Sequence, residues 1–174
     1  IRALKQQFPD LLVMSDIALD PYSSDGHDGL VDPSSGEVLN DETLEVLGLM
    51  ALAQAEAGVD ILWIGARTTV NPFSIQEVAD ALKGVDIPVL VKNPLHPDLG
   101  LWIGALERFE AVGINNLAAI HRGFYTSKPS PYRNEPHWDL SFELRARLPE
   151  LPILCDPSHI AGKRELLQQV AQTA

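Results

Sequence analysis

Three basic side chains stand at or directly after short apolar runs, where parallel strands would end. They are Arg67, Lys92 and Arg122. Because the carboxyl ends of parallel strands meet at one edge of a barrel, we expect the three cations to converge there. A small molecule with a phosphate and a carboxylate needs such convergent donors. The alternative is that each cation is solvated or paired with the carboxylates of this acidic chain.

Acidic side chains form a second candidate set near the start of the sequence. Asp16, Asp20 and Asp28 lie in and after the first apolar run. Hard cations such as Mg²⁺ prefer carboxylate oxygens, so a metal site there is one hypothesis. Strand-end and loop acids without a ligand are the other, and we favour it. The single cysteine, Cys155, is interpreted as a small buried apolar residue.

The elements that must position these residues alternate regularly along the chain. Five apolar runs predict strands at 11–19, 60–65, 88–92, 116–120 and 152–155. Amphipathic stretches predict helices at 44–57, 74–82, 101–111, 141–147 and 164–171, after an initial helix at 1–8. This alternation is typical of an α/β fold, and polar residues at the strand ends favour a partial TIM (β/α) barrel. No glycine-rich phosphate loop follows any of the predicted strands.

Five strand-helix units do not close an ordinary eight-stranded barrel. Another chain would have to supply the missing strands, or the sheet would have to rearrange, or the sequence is a fragment. Open sheet edges carry unpaired backbone groups, so we expect self-association through them.

Composition limits the classes of partner. The chain has 174 residues, is 45% hydrophobic and has a formal net charge of -11, which fits one globular domain. Without a basic stripe, neither nucleic acid nor an anionic membrane is an expected partner. One cysteine fits a reducing, cytoplasmic compartment. No apolar run approaches the roughly 20 residues of a spanning helix.

The first third of the sequence carries three ordered motifs. They read VMSDIALDPY (13–22), GHDGLVD (26–32) and VLNDET (38–43). Residues 1–60 thereby resemble porphobilinogen synthase (5-aminolevulinate dehydratase), as its third strand and helix. Asp20, Asp28 and Ala18 stand where zinc-dependent members have cysteines, so the resemblance implies the zinc-independent variety. The lysines that carry the family's chemistry belong to strands that this sequence lacks.

The remainder carries four further motifs on four successive predicted strands. They read LWIGARTTVNPF (62–73), PVLVKNP (88–94), AIHRGF (119–124) and CDPSH (155–159). Residues 61–174 thereby resemble strands four to seven of 3-deoxy-7-phosphoheptulonate (DAHP) synthase. That enzyme condenses phosphoenolpyruvate with erythrose 4-phosphate in the shikimate pathway of aromatic amino acid biosynthesis.

The second resemblance assigns roles to named side chains. It implies that Arg67, Lys92 and Arg122 bind phosphoenolpyruvate and that His159 is a ligand of a divalent metal, manganese or similar. The other metal ligands and the lysine-proline-arginine-threonine motif of the second-substrate site are missing from this sequence. We therefore expect the metal not to be retained, and we assign no catalytic residue. His121 either orients this pocket or is a satisfied interior histidine.

The two resemblances meet at residues 59–61, which suit both families. We interpret the chain as one domain, 1–174, in which two barrel segments join in register as a chimera. The leading hypothesis is a transferase-like barrel segment that is catalytically incomplete but binds phosphoenolpyruvate or phosphate. The alternatives are an engineered scaffold without a ligand and, less favoured, a working synthase completed by another chain or a porphobilinogen synthase activity.

Overall fold

The centre of the molecule is a parallel sheet. The computed structural model describes residues 1–23, 26 and 28–174, so Ser24, Asp25 and, from the second motif, His27 lie outside the described residues. The strands are β1 (Met14–Ile17), β2 (Leu30–Val31), β3 (Val38–Leu39), β4 (Ile61–Ile64), β5 (Val89–Lys92), β6 (Leu117–His121) and β7 (Ile153–Cys155). Five of them form one parallel sheet in the order β1-β4-β5-β6-β7, and β2 pairs with β3 in an antiparallel hairpin.

Helices connect the strands in sequence. They are α1 (Arg2–Gln7), α2 (Asn40–Glu56), α3 (Ala66–Thr69), α4 (Pro72–Ala81), α5 (Leu99–Ala111), α6 (Trp138–Arg147), α7 (Pro157–Ala161) and α8 (Arg164–Thr173), with a 3-10 turn at Asp20–Tyr22. Side-chain oxygens of Asn71, Asp98 and Asp156 accept hydrogen bonds from the first backbone N–H groups of α4, α5 and α7. No described helix is long and apolar enough to cross a membrane.

One face of the sheet packs against helices and forms the main core. Alternate residues such as Leu62, Ile64 and Val91 point to this side and are fully buried, together with Trp102 and Phe109 of α5. Helices α2 and α4 pack closely. A side-chain carbon added at Gly48 of α2 would lie 3.3 Å from Cβ of Ala81 in α4. The short contact lets the two helices cover adjacent strands.

The opposite face of the sheet carries a smaller apolar layer. Leu90, Ala118 and Ile120 are buried there, with Trp63 packed against them. At the two edges of the sheet, Met14 of β1 is 40% exposed and Leu154 of β7 is 43% exposed. This second face would line the inside of a closed barrel. In the five-stranded sheet it is partly open to solvent.

The predicted junction lies beside a polar contact. The carboxylate of Asp60, just before β4, accepts hydrogen bonds from the Lys5 ammonium at 2.8 Å and from the Val13 N–H at 2.6 Å. These bonds join α1, the start of β1 and the start of β4. Together with the parallel pairing of β1 and β4, they connect the two sides of residues 59–61.

The structure confirms the predicted fold class, with five parallel strands and all six predicted helices. It adds features within stretches to which we assigned neither strand nor helix, namely the β2–β3 hairpin and the one-turn helices α3 and α7. Asn40 is the first residue of α2 and makes no side-chain cap. Gly58 has the positive φ, +88°, of a helix-ending glycine.

Candidate functional site

The candidate site lies where the carboxyl ends of the central strands meet. Lys92 is the last residue of β5, Arg122 directly follows β6 and Asp156 directly follows β7. Lys92 lies two residues after Leu90 and therefore belongs to the open face of the sheet. The alternation of the strands thus delivers charged side chains to this rim while their neighbours fill the core.

Lys92 is enclosed by protein. The residue is 5% exposed, and its ammonium nitrogen lies 3.9 Å from the centroid of the Trp63 ring and 3.8 Å from Oδ2 of Asp156. Burial lowers the pKa of Lys92, Asp156 and Asp16 raise it, and the positive charge of Arg122 lowers it again. The net effect is a pKa below the ordinary lysine value.

Arg122 is buried and held by neutral partners. It is 8% exposed, and its guanidinium donates to Oδ1 of Asn134 at 3.0 Å. Within the described part of the chain no carboxylate lies within 4.0 Å of it. Burial lowers the pKa of Arg122, and the nearby charges of Arg133 and Arg67 lower it further, against Asp156, which raises it. Arg122 is therefore a buried cation without an adjacent counterion among these residues.

Two buried asparagines fix the loops around Arg122. Asn93 is fully buried, and its Oδ1 accepts from the backbone N–H of Arg122 at 2.7 Å while its amide donates to the Gly123 carbonyl at 2.8 Å. Asn134 donates to the carbonyl of His159 at 2.7 Å. Asn134 thus ties the loop after β6 to helix α7.

Asp156 is the central carboxylate of the rim. Burial alone would raise its pKa, but contacts from His159 and Ser158 outweigh burial and hold the pKa of Asp156 far below its usual value. The Ser158 hydroxyl donates to Oδ1 at 2.8 Å, and the backbone N–H of His159 donates to the same oxygen at 3.1 Å. Nδ1 of His159 lies 2.7 Å from Oδ2 but does not have the geometry of a hydrogen bond.

The acids of the first two motifs lie near one another. Burial raises the pKa of Asp16, the Trp63 indole and Lys92 lower it, and the charges of Asp28 and Asp20 raise it. The indole nitrogen has no hydrogen bond of ordinary geometry, so its contact with Asp16 is weak. Oδ1 of Asp28 accepts from the backbone N–H of Leu19 at 3.0 Å. The three carboxylates therefore lie near one another, and that of Asp28 is hydrogen-bonded to the backbone.

The described side chains do not form a metal centre. Across residues 1–23, 26 and 28–174, no three His, Cys, Asp or Glu side chains are placed to hold one ion together. His159, the predicted metal ligand, is oriented toward Asp156 instead. A divalent cation needs more ligands than this pair provides. The described residues therefore do not fit the metal that the resemblance implies.

The structure brings together some of the predicted residues and adds others. Arg122 is close enough to Lys92 to lower its pKa, and Arg67 is an exposed residue of α3 whose charge lowers the pKa of Arg122. Arg133 was not among the predicted site residues because it lies within a loop, away from any strand end. The Tyr132-Arg133-Asn134 triplet was the only sequence feature that marked Arg133.

His121 and Cys155 face the helices. His121 is 1% exposed, its Nε2 lies 2.5 Å from the Pro136 carbonyl, and its ring centroid lies 4.9 Å from that of Trp138. Burial lowers the pKa of His121 to about 4. Burial also raises the pKa of the Cys155 thiol. Both residues therefore belong to the packing layer, which favours the interior-histidine interpretation.

Known proteins share both the sequence and the fold of parts of this chain. Residues 1–85 match the family model of delta-aminolevulinic acid dehydratase. The chloroplastic enzyme of that name from Chlamydomonas reinhardtii is 60% identical over 62 residues, which are 36% of this chain and 16% of that protein. The match thus spans a small part of the curated relative. Because the family match continues past residue 60, the border between the two segments stays a prediction.

Solved structures of two enzymes resemble the whole described fold. A truncated 3-deoxy-D-arabino-heptulosonate 7-phosphate synthase from Thermotoga maritima has a TM-score of 0.61 at 19% identity, covering 99% of this chain and 63% of that chain. The porphobilinogen synthase of Toxoplasma gondii, solved with its product porphobilinogen, has a TM-score of 0.62 at 25% identity, covering 99% and 53%. The fold is therefore that of a partial TIM barrel. Both families indicated by the motifs are thus among the similar proteins. The heptulosonate 7-phosphate synthase is similar in fold alone.

Proposed function

We propose that this chain is a catalytically incomplete barrel segment that binds a small anion, phosphoenolpyruvate or phosphate, at the carboxyl ends of its strands. The anion would lie between Lys92 and Arg122, with Arg67 and Arg133 at the rim. The observation that carries the proposal is the buried guanidinium of Arg122, near which Arg133 and Arg67 add positive charge and Asp156 opposes it. A bound dianion would relieve that repulsion.

Turnover is not part of the proposal. Condensation of two substrates requires both of them and the metal in near-attack geometry. In the described residues His159 faces Asp156, and no third ligand joins the pair. We expect no synthase activity when the chain is assayed with both substrates and added manganese. Turnover above background would contradict the incomplete-site part of the proposal.

A ligand-free scaffold is the second candidate. It is favoured by Asp156, which lies 3.8 Å from the Lys92 ammonium and already supplies one internal negative charge. If Asp156 neutralises the rim sufficiently, no external anion is needed. The two candidates differ in a direct binding measurement.

Calorimetry with phosphoenolpyruvate and with inorganic phosphate tests the proposal. Arg67→Ala removes an exposed rim cation, and we expect it to weaken binding by roughly tenfold, about 1.4 kcal/mol. Arg2→Ala removes the same charge from exposed helix α1, before the start of β1, and is the matched control. No binding to the parent chain would favour the scaffold, and measurable but equal affinities in both variants would remove Arg67 from the proposed site.

A further inference from the structure

Helix α6 carries a second face that the main core does not use. The core face consists of leucines four residues apart, Leu140, Leu144 and Leu148. The second face has the i, i+3, i+4 and i+7 spacing of one side of a helix and consists of Trp138, Ser141, Phe142 and Arg145. The Phe142 residue is 73% exposed, so this side of the helix presents apolar surface that packing has not consumed.

This second face of α6 forms one wall of a cavity of about 370 Å³. Edge strand β7 lies on the other side, and Thr173, the last residue of α8, also lines the cavity. Leu154 of β7 is 43% exposed there. The Trp138 ring packs edge-on against His121, with centroids 4.9 Å apart. The volume is that of a small-molecule site, and most of the lining side chains are apolar.

Arg145 places a cation without a counterion at this cavity. Within the described part of the chain no carboxylate lies within 4.0 Å of its guanidinium, although the chain is acidic. Arg147 of the same helix is paired with Glu143 instead. The Ser141 hydroxyl, one turn before Arg145, is buried and has no hydrogen-bond partner in the structure. A guanidinium binds a carboxylate through two parallel hydrogen bonds, so the apolar cavity and its cation are complementary to an organic acid.

We propose that this cavity binds a small monocarboxylate with an apolar body, such as an aryl or alkyl acid. The carboxylate accepts hydrogen bonds from Arg145, and the apolar body lies against Phe142 and Leu154. No acidic side chain is among the described residues that line the cavity, so the ammonium group of an amino acid would have no side-chain partner there. The inference is independent of the proposed function, because the cations of that anion site do not line this cavity.

Calorimetry with 3-phenylpropionate and its uncharged amide, 3-phenylpropanamide, tests the recognition of charge. We expect the amide to bind about tenfold more weakly than the acid, and Arg145→Gln to weaken binding of the acid by a similar factor. Arg164→Gln is the control, because Arg164 is an exposed arginine at the opposite end of α8 from Thr173. No binding of the acid by the parent chain, or equal affinity in the two variants, would overturn the inference.

A second pair of variants tests the apolar wall. Phe142→Ser removes the exposed ring from the cavity, and we expect it to weaken binding of 3-phenylpropionate by about tenfold. Phe73→Ser is the matched control, because Phe73 is 75% exposed and lies on α4. Both positions are exposed, so both variants should unfold at the temperature of the parent chain. Equal affinity in the two phenylalanine variants would also overturn the inference.

Cys155 reports whether the acid lies in this cavity. It is the single cysteine of the chain, and it lines the cavity beside Leu154. We expect 3-phenylpropionate to slow the reaction of the Cys155 thiol with N-ethylmaleimide in the parent chain and to have much less effect in Arg145→Gln. Binding in the calorimeter without protection of Cys155 would place the acid elsewhere and overturn the inference.

Discussion

Oδ1 of Asn93 accepts a hydrogen bond from the backbone N–H of Arg122 at 2.7 Å. The residue that follows β5 therefore fixes the position of the residue that follows β6. The amide of the same side chain donates to the carbonyl groups of Pro94 and Gly123. Three hydrogen bonds thus converge on one fully buried side chain. Two adjacent strand ends are held in a defined relative position by this asparagine.

Replacing this side chain should be costly. Asn93→Ala leaves the Arg122 N–H and the carbonyl of Gly123 without their partner in a dry environment, and we expect a loss of about 3 kcal/mol in the free energy of unfolding. Asn115→Ala is the control, because Asn115 is exposed and bonds only to Gly113 at 3.3 Å. Urea unfolding of both variants checks the prediction. Similar losses in both would mean that the buried bonds contribute little.

Gly123 should resist substitution more than Gly84, another glycine with positive φ. Its φ is +76°, and a Cβ there would lie 2.8 Å from the Asn134 carbonyl oxygen. Gly84 has φ +81° with no described atom within 4 Å of such a Cβ. We expect Gly84→Ala to cost about 1 kcal/mol and Gly123→Ala about 3 kcal/mol. Thermal unfolding measures the difference, and equal costs would contradict the steric argument.

Gly123→Ala should also affect the proposed anion site. A side chain at Gly123 would displace Asn134. Oδ1 of Asn134 accepts a hydrogen bond from the Arg122 guanidinium at 3.0 Å. We expect Gly123→Ala to weaken phosphate binding, whereas Gly84→Ala should leave it unchanged. Calorimetry at a temperature where both variants are folded makes the comparison, and retained affinity in Gly123→Ala would show that Asn134 does not position Arg122.

His121 should make stability depend on pH. Its folded-state pKa is about 4 against an ordinary 6.5, because burial disfavours the imidazolium, while the Pro136 hydrogen bond opposes this and His137 adds to it. The unfolded chain therefore binds the proton first, and stability falls as pH drops from about 6.5 to about 4, by about 3 kcal/mol in total. Urea unfolding across this range, compared with His121→Gln, checks it. An unchanged slope in the variant would assign the effect to other groups.

Self-association through the open edges stays a prediction. Leu154 lies on edge strand β7 and is 43% exposed on the open face. A lysine on an edge strand opposes pairing with another copy. We expect Leu154→Lys to shift the chain toward the monomer in light scattering, and Leu49→Lys, at a 60% exposed position on α2, to have no such effect. A monomeric parent chain at high concentration would contradict the expectation.

The order of strands and helices could be predicted because apolar runs and polar gaps alternate at lengths that only an α/β fold accommodates. From the same pattern it could be predicted that Lys92 and Arg122 lie at strand ends that converge. The pairing of His159 with Asp156 could not be predicted, because it depends on how α7 begins. The amino-acid sequence alone does not fix the rotamer of the His159 side chain. Arg133 was missed because its contribution depends on loop folding over several residues.

The contact between Gly48 and Ala81 has a consequence for exchange of units between barrels. Across residues 59–61, the two sides meet through main-chain pairing of β1 with β4, the Lys5–Asp60 contact, apolar core packing and this small-residue contact between α2 and α4. Such a border makes few demands on side-chain identity. The loop after β6, where Asn134 and Gly123 interlock, makes many. Segments spliced before β4 should therefore fold more often than segments spliced after β6.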